Sequence, residues 1–125
     1  MAFSKKVMEI ARILDDKRAT DILIIDVETL TMMADYFVIA SGNSSTQVTR
    51  LAEELDEELR KDNYERIRVE GLRHGRWVVA DYGDVLVHIF HKEEREFYDI
   101  ERLWKNGDNF LKYESTPVQT NKNLI

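Results

Sequence analysis

Two acids and one imidazole near the middle of the chain have residue types that could do chemistry. Asp81, Asp84 and His88 lie in the segment RWVVADYGDVLVHIFH, which covers residues 76–91. Two carboxylates that project to one side can hold Mg²⁺ for nucleotidyl transfer. Asp81 and Asp84 are separated by a predicted turn, so their side chains need not converge. Asp84 also fits as an ordinary turn residue, and the spacing therefore disfavours a metal site.

His88 shares a predicted sheet face with Asp81, and a histidine beside a carboxylate can act as a general base. The chain has no cysteine, and the predicted pairing places no serine beside His88. His74 and His91 are not at ligand spacing on one element, so the pattern does not indicate a zinc site. These observations favour a hydrogen-bonded or surface histidine.

The segment SGNSS, at residues 41–45, follows a predicted strand and precedes a predicted helix. Helix N-termini offer free N–H groups to anions, so this turn suggests phosphate binding. The glycine patterns of the P-loop and of dinucleotide-binding turns are missing from the chain. Ser44 and Gln47 have capping-box spacing instead, which favours Ser44 as the N-cap of the helix.

Asp81 and His88 are positioned by two predicted strands that meet in a tight turn at Gly83-Asp84. Gly accepts the positive φ that such turns require, and a two-residue loop fixes the register. Directly opposed residues share a face of the sheet. The apolar hairpin face, which predicts core, comprises Val78, Ala80, Tyr82, Val85, Val87 and Ile89. The polar-aromatic hairpin face comprises Trp77, Val79, Asp81, Leu86, His88 and Phe90.

Hydrophobic periodicity and capping signals predict the other elements. In chain order they are a helix from Ser4 to about Lys17, strands over 22–27 and 35–41, a helix from Ser44 to Asn63, an edge strand over 66–70, the two hairpin strands and a segment over 93–104 that is loop or helix. The order α-β-β-α-β-β-β-α predicts an α/β fold with one mixed sheet. Its flanking helices are expected to pack largely against the apolar hairpin face.

The bulk composition limits the classes of function. A length of 125 residues predicts one domain, over residues 1–112, and the polar residues 113–125 are expected to form a mobile tail. The net charge of −6 disfavours a nucleic-acid surface and suits a basic protein partner. No apolar run approaches the roughly 20 residues of a membrane span. We therefore expect a soluble, cytoplasmic protein without a cofactor.

Trp77 and Phe90 allow two interpretations. They are core residues if a helix covers the polar-aromatic hairpin face. Large aromatic rings close to an acid are also typical of a protein interface, where a few such side chains supply most of the binding energy.

Long segments of the chain resemble the ribosomal silencing factors, the RsfS/YbeB/Iojap family. They are DYFVIASGNSSTQV at 35–48, EG at 70–71 and WVVADYGDVLVHIFHKEEREFYDIERLW at 77–104. The similarity covers about residues 3–104.

The resemblance implies a nucleotidyltransferase-like fold without the catalytic acids. It implies a non-enzymatic factor that binds the large ribosomal subunit through ribosomal protein fourteen of that subunit. Such a factor blocks joining of the small subunit, lowers translation under nutrient limitation and is often a homodimer when free. The expected partner-binding residues are Trp77, Asp81, Tyr82, Leu86, His88 and Phe90. Two alternatives stay open at this point, a nucleotide-binding or nucleotidyltransferase-type enzyme and a dimerisation module.

Overall fold

A computed structural model of the protein describes residues 3–115. Its elements are α1 (Lys5–Asp16), β1 (Thr20–Asp26), β2 (Tyr36–Gly42), α2 (Ser45–Lys61), β3 (Arg68–Glu70), β4 (Trp77–Asp81), β5 (Val85–His91), α3 (Lys92–Tyr98), α4 (Ile100–Trp104) and β6 (Phe110–Lys112). The predicted elements up to β5 are all present, with ends that differ by a few residues.

Both long helices begin at the predicted caps. Ser4 Oγ accepts a hydrogen bond from the Val7 N–H at 3.2 Å, and Ser44 Oγ accepts one from the Gln47 N–H at 3.1 Å. The Gln47 side chain in turn accepts the Asn43 N–H at 2.6 Å. These bonds satisfy N–H groups that a helix start otherwise leaves unpaired.

The six strands form one mixed sheet in the order β3-β4-β5-β2-β1-β6, which confirms the predicted mixed α/β architecture. β2 pairs with β5 in parallel, and the other adjacent pairs are antiparallel. β3 is an edge strand, as predicted. Helix α2 connects β2 to β3, and β4 and β5 lie between these two strands.

The hairpin has the predicted register, with Trp77 opposite Phe90 and Val79 opposite His88. Gly83 has a φ of 92°, and its N–H donates to Asp81 Oδ1 at 2.8 Å. Lys6 of α1 reaches the turn, where its Nζ donates to the Tyr82 carbonyl oxygen at 2.6 Å. The turn is thus held both by its own acid and by a helix.

Helices α1 and α2 pack on the apolar hairpin face, as predicted. The larger core cluster includes Val7, Ile10, Leu14, Val48, Leu51, Leu55 and Leu59 from the helices and all six residues of that face. Each fully buried leucine or isoleucine contributes about 2 kcal/mol of transfer free energy to such a core.

A second, smaller apolar cluster lies on the opposite side of the sheet. It is built from Leu23, Ile25, Val27, Ala34, Phe37, Ile39 and Phe90, with Ile100 and Trp104 of α4 packed against it. Neither α3 nor α4 contributes a buried residue, so these helices cover this cluster only in part. No helix within residues 3–115 is long and apolar enough to cross a membrane.

The C-terminal part differs from the predicted order. Residues 93–104 form two short helices, because Asp99 takes a left-handed conformation with a φ of 46°. β6 was not predicted, since three residues are too few to show strand periodicity, and it pairs with β1. The Tyr113 N–H then donates to the Ile22 carbonyl oxygen at 2.9 Å. Residues 116–125 of the predicted tail lie outside the described residues.

Gly71 and Gly107 form a matched pair for testing how closely the loop before β4 packs. Both have a positive φ, 90° and 69°. A Cβ on Gly71 would overlap the Trp77 carbonyl oxygen, whereas nothing lies within 4 Å of one on Gly107. We expect Gly107→Ala to lower the free energy of unfolding by about 1 kcal/mol through backbone strain alone. Gly71→Ala should cost about 2 kcal/mol more through overpacking.

Urea unfolding of the two variants measures this difference. Equal losses of stability would show that the loop can move away from Trp77 without cost.

Candidate functional site

Trp77 is the centre of an aromatic cluster at the end of the hairpin. Its indole stacks on the Phe90 ring, with centroids 4.7 Å apart and an interplanar angle of 28°. On another side, the ring of Tyr98 from α3 lies 5.0 Å from the indole. Phe90 is fully buried, whereas Trp77 is half-buried. The buried Phe90 ring therefore supports the partly exposed indole from beneath.

The edge of the same indole is hydrogen-bonded to His88. The Trp77 Nε1–H donates to His88 Nδ1 at 3.2 Å, and Phe37 packs edge-on against the imidazole at 5.0 Å. Because Nδ1 accepts, the proton of the neutral ring is on Nε2, which has no hydrogen-bond partner among residues 3–115. Burial lowers the pKa of His88 to about 4, so the ring is neutral at physiological pH.

The two candidate catalytic acids have separate partners. The Asp81 carboxylate accepts the Gly83 N–H and lies 3.5 Å from the Arg68 guanidinium. Asp84 pairs with Lys6 at 2.7 Å. Each charge is therefore already compensated by a different cation, and neither carboxylate has the other as its neighbour in a metal site.

The six predicted partner-binding residues lie at different depths in the structure. Tyr82 is only 2% exposed, because the hairpin parity directs it to the helix-covered side. There its hydroxyl donates to Asp56 Oδ1 at 3.0 Å, and burial, assisted by Asp56, raises its pKa. His88 and Phe90 are also buried, beneath the side chains around Trp77.

The other three predicted residues, Trp77, Asp81 and Leu86, are half-buried and share one face of the sheet. Tyr98 and Phe97 extend this surface, with their rings 5.0 Å apart and Phe97 80% exposed. We call Trp77, Leu86, Phe97 and Tyr98 the aromatic face. Large apolar side chains that are exposed or partly exposed on one surface are typical of sites of protein association.

Tyr98 and Arg95 are site residues that the sequence did not reveal. The nearly buried Arg95 guanidinium donates to Ser41 Oγ at 2.9 Å and to Glu101 at 3.1 Å, and it also donates to the Asp21 carbonyl oxygen. These bonds fasten α3, and with it Tyr98, to the sheet. Ser41 and Asp21 are 54 and 74 residues away from Arg95, too distant in sequence for any local pattern to indicate them.

Two places could in principle hold an ion. Nδ1 of His91 and carboxylate oxygens of Glu93 and Glu94 lie within 4.8 Å of one another. However, His91 Nδ1 accepts the Glu93 N–H, and Arg76 lies 2.7 Å from Glu94, where it would repel a cation. At the start of α2, the Ser44 and Gln47 side chains cap the N–H groups that a phosphate would use.

Comparison with known proteins finds a matching family model and several related proteins. A family model described as "Ribosomal silencing factor during starvation" matches residues 2–123. A Bacillus subtilis (strain 168) protein named ribosomal silencing factor RsfS is 47% identical over 90 residues, covering 72% of this chain and 76% of that protein. A Mus musculus protein named mitochondrial assembly of ribosomal large subunit protein 1 is 32% identical over 97 residues, covering 74% of this chain and 42% of that protein.

Solved structures share the fold. A crystal structure from Chromobacterium violaceum superimposes with a TM-score of 0.78 at 30% identity, covering 94% of each chain. Another, from Bacillus halodurans, has a TM-score of 0.75 at 34% identity and covers 88% of this chain and 100% of that chain. The mixed sheet and its helices are therefore shared with crystallographically determined relatives.

Acidification is expected to destabilise the protein through His88. The folded ring takes up a proton near pH 4, whereas an imidazole in the unfolded chain does so near pH 6.5. The unfolded state therefore binds more protons in this window, and stability is lost as the pH falls through it. Between about pH 7 and about pH 5, the wild type should lose about 2 kcal/mol of unfolding free energy that His88→Asn does not lose.

Urea unfolding at the two pH values tests this, with His74→Asn as the control because His74 is exposed. If wild type and His88→Asn depended equally on pH, His88 would not be the group responsible.

Proposed function

The chain belongs to the ribosomal silencing factor family, and on this premise we propose that it binds the large ribosomal subunit and blocks joining of the small subunit. Membership of the family carries association with the ribosome and regulation of translation. In the proposal, occupation of the large subunit keeps it out of initiation and lowers translation under nutrient limitation. This places the protein in the cytoplasm, with the ribosomes.

The aromatic face is the observation that supports protein docking most directly. A half-buried indole, backed by a fully buried phenylalanine and flanked by a tyrosine, loses little conformational freedom when a partner covers it. Large rings held rigidly in advance are the usual centre of an interface, because little entropy is lost on binding. Asp81, beside this face, supplies polar character.

The partner that best fits the proposal is ribosomal protein fourteen of the large subunit, as the family resemblance implies. The net charge of −6 favours association with a basic surface, since charge complementarity raises the rate of encounter. In this arrangement the protein acts by steric exclusion, so it needs no catalytic group. The separate ion pairs of Asp81 and Asp84 accord with such a passive role.

Trp77→Ala is expected to weaken binding to isolated large subunits by about 30-fold or more, because truncating an aromatic residue at the centre of an interface hot spot costs about 2 kcal/mol or more. Co-sedimentation with separated subunits measures the affinity. Ile67→Ala is the matched control, since Ile67 is 66% exposed and lies at the sheet edge near Gly83. Circular dichroism verifies that both variants are folded.

A folded Trp77→Ala variant that pellets with large subunits as well as Ile67→Ala does would remove Trp77 from the interface. A subunit-joining assay completes the test. If the wild type saturates large subunits and the small subunits still join, the steric mechanism is wrong while the binding stands.

We also propose that the free protein forms a homodimer through the aromatic face. An aromatic cluster that is exposed in the free protein can associate with the same cluster of a second copy. Formation of that dimer would compete with ribosome binding. Light scattering should give twice the 14.7 kDa chain mass for the wild type and for Ile67→Ala. Trp77→Ala should shift the protein towards the mass of one chain. A wild type that stays monomeric at high concentration would refute the dimer.

A further inference from the structure

Within residues 3–115, three aromatic rings lie against the Trp77 indole, and His88 among them also accepts a directional hydrogen bond. Phe90 and Tyr98 contact the faces and flank of the indole with their rings. Such contacts provide no acceptor for the indole N–H, and a half-turn about χ2 would move Nε1 to the other side of the side chain. The hydrogen bond from Nε1 to His88 Nδ1 exists in only one of the two orientations.

We propose that His88 is the positioning residue of the aromatic face, selecting the orientation in which Trp77 meets the partner protein. The inference rests on the proposed function and adds a residue that acts through Trp77 from beneath the surface. It also replaces the expectation that His88 contacts the partner directly, since the imidazole is only 8% exposed.

The strand register explains why these two side chains meet. Trp77 is opposite Phe90, and Val79 is opposite His88, so Trp77 and His88 are diagonal neighbours on one face. Diagonal pairs are about 7–8 Å apart at their α-carbons, which is within reach of a long aromatic side chain. The bond is therefore set by the hairpin itself and does not depend on a mobile loop.

The bond also fixes what the partner can recognise. With its N–H already donated inward, the indole presents only carbon atoms at its exposed edge. A partner that carries an apolar pocket can bury this edge without leaving an unpaired polar atom. We therefore infer that the matching surface is an apolar socket with no hydrogen-bond acceptor for the indole.

Stability alone does not account for a histidine at this position. Its Nε2–H is buried and has no acceptor among residues 3–115, and an unpaired buried donor is costly. A leucine would fill much of the same space without that cost. The use of Nδ1 as an acceptor for Trp77 is the gain that offsets it.

The surroundings keep His88 in the accepting state. From β4, Asp81 shares its face, but the Asp81 carboxylate is occupied by the Gly83 N–H and Arg68. From β2, the neighbours Phe37 and Ile39 carry no charge. On the helices, the ring of Trp104 contacts Phe37 and the ring of Tyr98 contacts Trp77, while the charged Arg95 and Glu101 pair with each other.

The matched variants His88→Asn and His88→Leu separate the hydrogen bond from packing. Asparagine and leucine have similar shapes, but only the amide oxygen of asparagine can replace Nδ1 as the acceptor. We expect His88→Leu to weaken large-subunit binding about fivefold to tenfold, the value of one lost hydrogen bond. His88→Asn should retain near wild-type affinity.

Nuclear magnetic resonance of the two indole N–H groups in the free protein gives an independent readout, with Trp104 as the internal reference. The Trp77 signal should show a hydrogen-bonded shift and slow solvent exchange in the wild type and in His88→Asn. In His88→Leu the N–H should turn to solvent and exchange fast, while thermal stability stays equal or rises.

These measurements test the proposed function and the positioning role of His88 separately. A wild type that does not bind large subunits refutes the proposed function, and the indole signals of the free protein still decide whether His88 orients Trp77. Unchanged indole signals in His88→Leu, or equal affinities of the two variants, overturn the positioning role. A loss of binding that only follows a loss of stability in both variants also overturns it.

Discussion

The two-residue turn at Gly83 and Asp84 is the constraint on which the rest of the structure depends. It sets the parity of β4 and β5, and a shift of one residue would exchange the two faces of the hairpin. One face then fills the core under α1 and α2, and the other carries Trp77. Lys6 holds the turn from the first helix through the Tyr82 carbonyl oxygen and Asp84. The packing of α1 therefore helps to fix the geometry of a surface on the opposite side of the sheet.

That surface also depends on a second constraint, which comes from the C-terminal helices. Helices α3 and α4 bury no side chain completely, so hydrophobic packing alone holds them weakly. The Arg95 guanidinium compensates through bonds to β1, β2 and α4. Tyr98 can flank Trp77 only while these bonds last. Since charge-assisted hydrogen bonds in a nearly buried site are strong, a single side chain has a large share in shaping the aromatic face.

The sequence predicted those features that depend on local chemistry. Ser4 and Ser44 are typical N-cap residues, and both predicted caps are confirmed. The Gly83 turn determines which residues of β4 and β5 are paired, and the predicted hairpin register is also confirmed. Whether a side chain is exposed to solvent, in contrast, depends on which other residues pack over it. The burial of Phe90 and His88 results from Trp77 on the other hairpin strand and from the packing of the C-terminal helices on this side of the sheet. β6 was missed because three residues carry no periodicity, and its pairing with β1 is made over a long sequence separation.

The same acids cannot serve both the turn and a metal ion. Asp81 satisfies the Gly83 N–H, and diverting its carboxylate to a cation would leave that donor unpaired at the point that sets the hairpin register. Asp84 neutralises Lys6, which would otherwise bring an uncompensated positive charge to the same place. The turn uses every one of these groups as it stands, and a two-acid metal centre would require the turn to be rebuilt. The physical chemistry of the hairpin thus favours a rigid turn over a two-acid metal site at this place.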